Sequence, residues 1–252
     1  METLFIGQNA IFLPEVDSTN SYAISLLKNV NPFEGTVVYT HHQTNGRGQR
    51  GNTWISENGV NIAASVILKP SFLSVKNVYQ LYIISALAVH DVLSQLPNSG
   101  QFDIKIKWPN DILVNGKKIA GILNETILQN NVVSAAVIGI GLNVNQSAFP
   151  DLSRATSLQM LFRQTFDLKQ ILGEICAQLE KRYLQLKNGN TDLLMKEYLA
   201  HFYKLNEWQL FRINQSECNC LVKGISETGL LVLQDNLHNT ICCDVKEAEW
   251  LL

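Results

Sequence analysis

Apolar positions recur along the chain with two different periods, and these divide it into predicted strands and helices. β-Branched and aromatic runs over 36–40 and 59–68 predict strands, the second of which ends at Pro70. A nearly continuous apolar stretch over 75–96 predicts a long helix that is buried on most of its sides. Further strands are predicted over 104–107, 117–125 and 132–140, and Asn115-Gly116 predicts a type I′ hairpin before the second of these.

The last quarter of the chain has a different texture. Helical spacing over 167–187 and 193–201 gives way, near residue 205, to short strand-like runs separated by turn residues. These runs cover 208–213, 220–225, 229–233 and 240–245. We therefore expect an α+β domain over 1–204, with a mixed or antiparallel sheet backed by helices on one side. A small β-barrel over 205–252 is expected to pack on it.

Composition narrows the classes of function. The chain has 252 residues, 46% of them hydrophobic, and a formal net charge of −2, which does not indicate a general binder of nucleic acid or membranes. Positive charge is nevertheless concentrated in the middle of the chain, a pattern that suits a small anionic ligand. Its members are Arg47, Arg50, Lys105, Lys107, Lys117 and Lys118. No apolar run approaches the roughly 20 residues that span a bilayer, and the N-terminus lacks the features of a signal peptide.

Five cysteines form an odd set, four of them in the last 35 residues. Neither Cys218-Asn219-Cys220 nor Cys242-Cys243 has the two-residue gap of a zinc ribbon, so no metal site is predicted. Free thiols are typical of a reducing compartment, and we expect the protein to be cytoplasmic.

Two stretches in the first quarter of the chain suggest ligand binding. Asp17-Ser18-Thr19-Asn20 precedes a helical pattern over 21–28, and these side chains could cap the helix or bind the polar head of a ligand there. In the segment 43–54, three glycines alternate with two arginines and a glutamine after a predicted strand. Such a loop is either a mobile basic surface loop or a backbone cradle for phosphate or carboxylate oxygens.

Two more motifs follow. Lys107-Trp108-Pro109-Asn110-Asp111 must leave its strand at the proline, which places the polar residues in a turn. In Lys118-Ile119-Ala120-Gly121, the glycine leaves room for a group to approach the sheet. The 132–140 strand then runs into Gly141-Leu142-Asn143.

In this order and with these intervals, the motifs resemble those of biotin–protein ligases, and the resemblance spans nearly the whole chain. It implies a catalytic domain of the biotin–lipoate ligase type, similar to class II aminoacyl-tRNA synthetases, with a small SH3-like barrel. It also implies two steps. The carboxylate of biotin attacks the α-phosphate of ATP to give biotinyl-5′-AMP, and a lysine of a carboxylase carrier domain then takes the biotin and releases AMP. Magnesium is expected with ATP, bound through phosphate oxygens.

The resemblance also assigns roles. Arg47, Lys118 and Asp111 are expected to be catalytic, with Lys118 bridging the biotin carboxylate and the α-phosphate and Asp111 assisting deprotonation of the carrier lysine. The residues expected to bind biotin are Ser18, Thr19, Asn20, Gln43, Gly46, Arg47, Gly48, Lys118 and Gly121. Those expected to bind ATP or the adenylate are Arg47, Gln49, Arg50, Gly51, Trp54, Lys107, Asn110, Asp111, Lys118 and Asn143. No protein nucleophile is required.

The chain departs from the family pattern at one position, because Gln49 stands where the usual Gly-Arg-Gly-Arg-x-Gly loop has its second arginine. The lost charge predicts weaker retention of the adenylate unless Arg50 or another cation compensates. Two alternatives share parts of this pattern, namely a lipoate–protein ligase and a non-catalytic biotin-binding protein. Only about 16 residues precede Asp17, which is too short for a DNA-binding helix-turn-helix domain, so we expect a catalytic-only form without DNA as a partner. Related enzymes include dimers that pair through sheet edges, and a homodimer is compatible with the resemblance.

Overall fold

The computed structural model describes residues 3–150, 152–245 and 247–251, apart from the side chain of Arg50. Its larger sheet has seven strands in the order β1-β2-β3-β7-β6-β5-β4. β1 is parallel to β2, and the other neighbours are antiparallel, so the sheet is mixed as expected. The strands are β1 Ala10–Phe12, β2 Val37–Thr40, β3 Ile62–Leu68, β4 Ile104–Lys107, β5 Asp111–Val114, β6 Lys117–Gln129 and β7 Val132–Leu142.

The predicted hairpin between β5 and β6 is confirmed. Asn115 and Gly116 both have positive φ, 50° and 75°, as the two central residues of a type I′ turn require. The long hairpin of β6 and β7 forms the middle of the sheet, with Gly121 opposite Gly141 and Leu123 opposite Gly139. This register brings three glycines together on one face.

Helices cover both faces of the sheet. They are α1 Thr19–Asn29, α2 Tyr79–Gln95, α3 Leu158–Phe162, α4 Leu168–Lys187 and α5 Thr191–Ala200. The main core joins α2 and α4 to one face, including Val66 and Leu68 of β3. A separate cluster joins Ala23 of α1 to Val38, Ile67 and Val137. Because Ile67 and Leu68 point to opposite faces, the expectation of helices on one side only is wrong for α1.

Helices α2, α4 and α5 are tied together by a buried ionic network. Arg182 of α4 makes two hydrogen bonds to Asp91 of α2, at 2.7 and 3.0 Å, and another to Glu197 of α5. The Arg182 and Asp91 side chains are only 8% and 14% exposed. Burial alone would raise the pKa of the Asp91 carboxyl, but hydrogen bonds from His90 and Arg182 outweigh it and lower that pKa.

The C-terminal part is a five-stranded antiparallel sheet in the order β11-β10-β9-β8-β12. Its strands are β8 Trp208–Ile213, β9 Ser216–Ile225, β10 Leu231–Gln234, β11 Thr240–Cys243 and β12 Ala248–Trp250. The indole N–H of Trp108 donates to the Gly229 carbonyl at 2.9 Å, which anchors this sheet beside the end of β4. Within the described residues, no helix combines the length and the apolar character that crossing a bilayer requires.

Candidate functional site

A cleft lies on the α1 face of the large sheet, near the ends of β3, β5, β6 and β7. Its volume is about 1020 Å³ with the open mouth included. Both the helix N-terminus and the glycine-arginine loop contribute to its walls, and so do two residues of the C-terminal part. The predicted site residues that line it are Ser18, Thr19, Asn20, Gln43, Arg47, Gly48, Gln49, Trp54, Lys107, Asn110, Asp111, Lys118 and Gly121.

At one end of the cleft, the N-terminus of α1 presents a hydrogen-bonded polar cluster. Ser18 caps the helix by accepting from the Ser21 amide, so the capping interpretation is confirmed. The Gln43 side-chain oxygen accepts from the Thr19 amide at 2.9 Å and lies 3.2 Å from its hydroxyl. Ser65 of β3 reaches the Thr19 hydroxyl at 2.8 Å. These neutral donors and acceptors suit an uncharged polar group such as a urea.

Asn20 links this cluster to the centre of the sheet. Its amide nitrogen donates to the Leu123 carbonyl at 3.1 Å and to Glu125 at 2.9 Å. The Asn20 side-chain oxygen lies 2.2 Å from the place where a Cβ on Gly139 would be. Any larger residue at 139 would therefore displace Asn20 from the cleft wall.

The glycine-arginine loop folds back on itself across the cleft. The Trp54 amide donates to the Gly46 carbonyl at 2.9 Å, and the Gly48 amide donates to the Asn52 carbonyl at 2.7 Å. A Cβ on Gly46 would lie 2.4 Å from the Trp54 carbonyl oxygen, so this crossing requires glycine. The loop is therefore a closed, hydrogen-bonded turn in this structure.

Arg47 projects from the loop and is held by a carboxylate of β6. Its two terminal nitrogens, Nη1 and Nη2, donate to the two oxygens of Glu125 at 3.1 and 2.8 Å, and Nη1 also donates to Ser21 at 3.3 Å. These contacts with described residues use three of the five guanidinium N–H groups. The remaining two can still bind an oxyanion.

Lys118 forms the second cationic position. Its ammonium lies 2.7 Å from Asp111 Oδ1 and 5.6 Å from the centre of the Trp54 ring. The contact with Asp111 is close, but its angles are not those of a hydrogen bond, and Oδ1 has no hydrogen-bond partner among the described groups. The amide of Lys118 donates to the Arg154 carbonyl at 2.7 Å, which fixes the backbone from which the side chain extends.

The Lys-Trp-Pro-Asn-Asp turn brings further polar groups to the same end. Burial lowers the pKa of the Lys107 ammonium, and the nearby charges of Lys118 and Arg154 act in the same direction, while Asp111 opposes them. Asn110 donates to the Ile122 carbonyl at 2.9 Å and accepts from its amide at the same distance, so the turn is bonded to β6 on both sides. The Trp108-Pro109 peptide bond is cis.

Trp54 lies against the sheet over a platform of two glycines. A Cβ on Gly141 would be 2.4 Å from the indole, and a Cβ on Gly121 would be 3.1 Å from it. The expectation that Gly121 lets a group approach the sheet is confirmed, because the ring occupies that space. The aromatic ring therefore forms the floor between Lys118 and the two central strands.

Some predicted site residues do not line the cleft. Gly46 and Gly51 shape the loop backbone, and Gly51 has a φ of 86°. Asn143 donates to the Thr156 carbonyl at 3.0 Å and so holds a neighbouring loop. The predicted contact of Arg50 falls on a side chain outside the described residues. Ligand roles for these residues remain predictions.

Sequence reasoning missed several residues of the site, among them Glu125, Ser65, Val245 and Trp250. Glu125 and Ser65 contact Arg47 and Thr19, two residues that were predicted to bind ligand. The pairing register of the strands brings them there, and that register cannot be read from the sequence. Val245 and Trp250 reach the cleft from the C-terminal sheet. The chain has four tryptophans, and no sequence pattern distinguishes Trp250 from the other three.

The arrangement can bind an elongated ligand with an uncharged polar head and an anionic end. Paired cations and backbone donors at that end are suited to stabilise charge on phosphate oxygens. No group of three or more His, Cys, Asp or Glu side chains in the described ranges is arranged to hold a metal ion.

Comparison with known proteins identifies related chains. Residues 12–143 match the model of the biotin/lipoate A/B protein ligase family. The bifunctional ligase/repressor BirA of Bacillus spizizenii is 37% identical over 255 residues, covering 98% of this chain and 76% of that protein. The biotin–acetyl-CoA-carboxylase ligase of Paracoccus denitrificans is 30% identical over 227 residues, covering 88% of this chain and 92% of that one.

Solved structures agree with these sequence matches. The biotin protein ligase of Aquifex aeolicus, in complex with biotin and ATP, superposes with a TM-score of 0.79 at 26% identity. The match covers 96% of this chain and 98% of the other. The α+β fold with its C-terminal antiparallel sheet is therefore shared along nearly the whole length.

Proposed function

The chain belongs to the biotin/lipoate A/B protein ligase family, and we propose that it is an ATP-dependent biotin–protein ligase. In the first step, a carboxylate oxygen of biotin attacks the α-phosphorus of ATP and pyrophosphate leaves, giving biotinyl-5′-AMP. In the second, the amine of a carrier lysine attacks the acyl carbon, loses a proton and expels AMP. A biotin carboxyl carrier domain of a carboxylase is the protein substrate.

One observation carries this proposal. The helix N-terminus, Arg47 and Lys118 come from distant parts of the sequence and line a single cleft. The neutral polar cluster around Thr19 is suited to the ureido head of biotin, and we propose that the two cations bind its carboxylate and the α-phosphate of the nucleotide. The biotin- and ATP-bound relative from Aquifex aeolicus supports the same ligands here.

The residues supply positioning and charge stabilisation to the first step. Lys118 carries a compact charge on a flexible stem and can contact the carboxylate and the α-phosphate together. Arg47 can donate its two remaining N–H groups to the same anion. Because the activated intermediate is held noncovalently, the site needs cations and backbone donors and no acylated side chain.

Asp111 is proposed as the group that assists the second step. A carrier lysine has an unperturbed pKa near ~10.4 and is mostly protonated at neutral pH, so a nearby carboxylate can accept its proton. The 2.7 Å contact with Lys118 keeps the Asp111 carboxyl beside the cation that is proposed to bind the α-phosphate. Magnesium would enter with ATP through phosphate oxygens, since Asp111 is the sole carboxylate among the cleft-lining residues described above.

We also propose a domain boundary, a partner and a cellular location for the protein. We place the division between the catalytic domain, 1–204, and the barrel, 205–252, before β8. A carrier protein rather than DNA is the proposed partner, because positive charge is concentrated at the cleft and the net charge is −2. The unpaired thiols favour the cytoplasm. Sedimentation at several concentrations would test for a homodimer.

The decisive experiment incubates the protein with ATP, magnesium and labelled biotin, and follows adenylate and then transfer to a carrier domain. Biotin and lipoate are distinguished as substrates by adding each free acid as a competitor in ATP–pyrophosphate exchange. Unlabelled biotin should compete strongly, and lipoate should not. Lys118→Gln should abolish adenylate formation, while Lys223→Gln on the C-terminal sheet serves as a control. Biotin binding without adenylate formation by the wild type would identify a non-catalytic biotin-binding protein.

A further inference from the structure

The C-terminal sheet contributes an aromatic ring to the nucleotide end of the cleft. We propose that Trp250 is a positioning residue that holds the Lys107 ammonium against the bound nucleotide. This inference rests on the proposed function and extends it, because it gives the appended sheet a part in ATP binding.

The contact itself is close and directional. The Lys107 ammonium lies 5.6 Å from the centre of the Trp250 ring, within the ~6 Å over which a cation is attracted to an aromatic face. Tryptophan is the strongest of the aromatic side chains in this interaction. Both side chains line the same cleft.

The Trp250 ring is fixed by its own sheet. β12 pairs with β8, and Trp250 stands opposite Phe211. The two rings have centroids 4.6 Å apart, and the Tyr203 ring centroid lies 5.7 Å from that of Trp250. Phe211 is fully buried, so the indole packs against a residue of the core. A ring held in this way can restrict the lysine that packs on it.

The surroundings of Lys107 explain why it depends on the ring. Among the described residues, no carboxylate comes within 4.0 Å of its ammonium, because Asp111 is engaged with Lys118. Burial and the neighbouring cations disfavour its charged form, which agrees with its lowered pKa. The π face of Trp250 compensates without neutralising the charge. Lys107 therefore stays cationic and oriented towards the cleft, available to a phosphate oxygen.

The test compares Trp250→Leu with wild type in ATP–pyrophosphate exchange and in biotin binding. We expect the KM for ATP to rise roughly five- to thirtyfold, as loss of a partly desolvated cation–π contact implies, with the Kd for biotin unchanged. Trp208→Leu, at an exposed tryptophan of the same sheet outside the cleft, is the matched control and should leave both unchanged. In the double variant with Lys107→Met, the Trp250 change should have no further effect on the KM for ATP.

A fluorinated tryptophan introduced only at position 250 gives a test that does not depend on whether the Trp250→Leu variant folds normally. It keeps the shape of the ring and withdraws charge from its face, so the KM for ATP should rise with each added fluorine. A KM that is insensitive to fluorination, or effects of Trp250 and Lys107 that add fully, would overturn the proposal while leaving the ligase activity intact. A wild type that makes no adenylate from biotin and ATP would instead overturn the proposed function, and this inference with it.

Discussion

Glu125→Gln tests how Arg47 is held. The substitution keeps the shape of the side chain and an oxygen that can accept from Asn20, but it removes the charge that binds the Arg47 guanidinium. Because the contacts of Arg47 with the described residues leave two of its N–H groups available, the Glu125 carboxylate orients Arg47 and does not block it. We therefore expect the variant to bind the adenylate less tightly.

The magnitude follows from the exposure of the ion pair. The side chains of Arg47 and Glu125 are 42% and 26% exposed. The pair thus lies between exposed pairs, worth about 0.2–1 kcal/mol, and buried pairs, whose breakage costs about 3–5 kcal/mol. A loss of about 1–2 kcal/mol corresponds to a five- to thirtyfold faster dissociation of the adenylate. Biotin affinity should change less, since the contact between Asn20 and residue 125 survives.

The assay loads the protein with labelled adenylate and chases it with unlabelled adenylate, while thermal unfolding reports stability. Glu217→Gln is the control, because Glu217 is 56% exposed and pairs with Arg212 on the C-terminal sheet. It should leave dissociation unchanged. If Glu125→Gln lowers the Tm but the adenylate leaves at the wild-type rate or more slowly, the carboxylate is a structural contact and the reasoning is refuted.

Three further outcomes are expected. Gln49→Arg should slow adenylate dissociation by restoring a cation to the loop, and equal off-rates would show that the charge at 49 is immaterial. Asp111→Asn should slow transfer from preformed adenylate to a carrier lysine; intact transfer with impaired adenylation would remove the base assignment. Arg182→Met should destabilise the fold by about 3 kcal/mol at neutral pH, because it leaves the Asp91 carboxylate buried without its ion pair. Because the pKa of Asp91 is lowered in the folded state, its ionised carboxyl stabilises the fold fully at pH values above the unfolded pKa of about 3.9. The stability difference between wild type and Arg182→Met should therefore shrink as the pH falls through the folded pKa. Denaturant unfolding at several pH values would measure it.

The sequence was most informative where local pattern decides local structure. The Asn115-Gly116 turn, the apolar α2 and the strands β6 and β7 each follow from residues close together in the chain, and all are confirmed. The ordered motifs also predicted that Arg47 and Lys118 would meet in one cleft, which the structure bears out.

The rest depends on pairing over long distances. The three-residue strands β1 and β12 are too short to show a period, and each is defined by its partner strand. The face on which α1 packs depends on which residues of β3 meet it. Glu125 was overlooked for the same reason, since its partners Asn20 and Arg47 are brought to it by the fold of the sheet and loop.

Each of three cations of the cleft has a compensating neighbour, a carboxylate for Arg47 and Lys118 and an aromatic ring for Lys107. Unpaired cations crowded into a partly buried cleft would repel one another and lose solvation, which would lower their pKa values or displace them. Glu125 and Asp111 relieve this for Arg47 and Lys118, and the Trp250 ring does so for Lys107 without a negative charge. Each cation keeps donors in reserve, because an arginine has five N–H groups and a lysine has three. The cleft can therefore remain folded around its cations and still offer them to a phosphate anhydride.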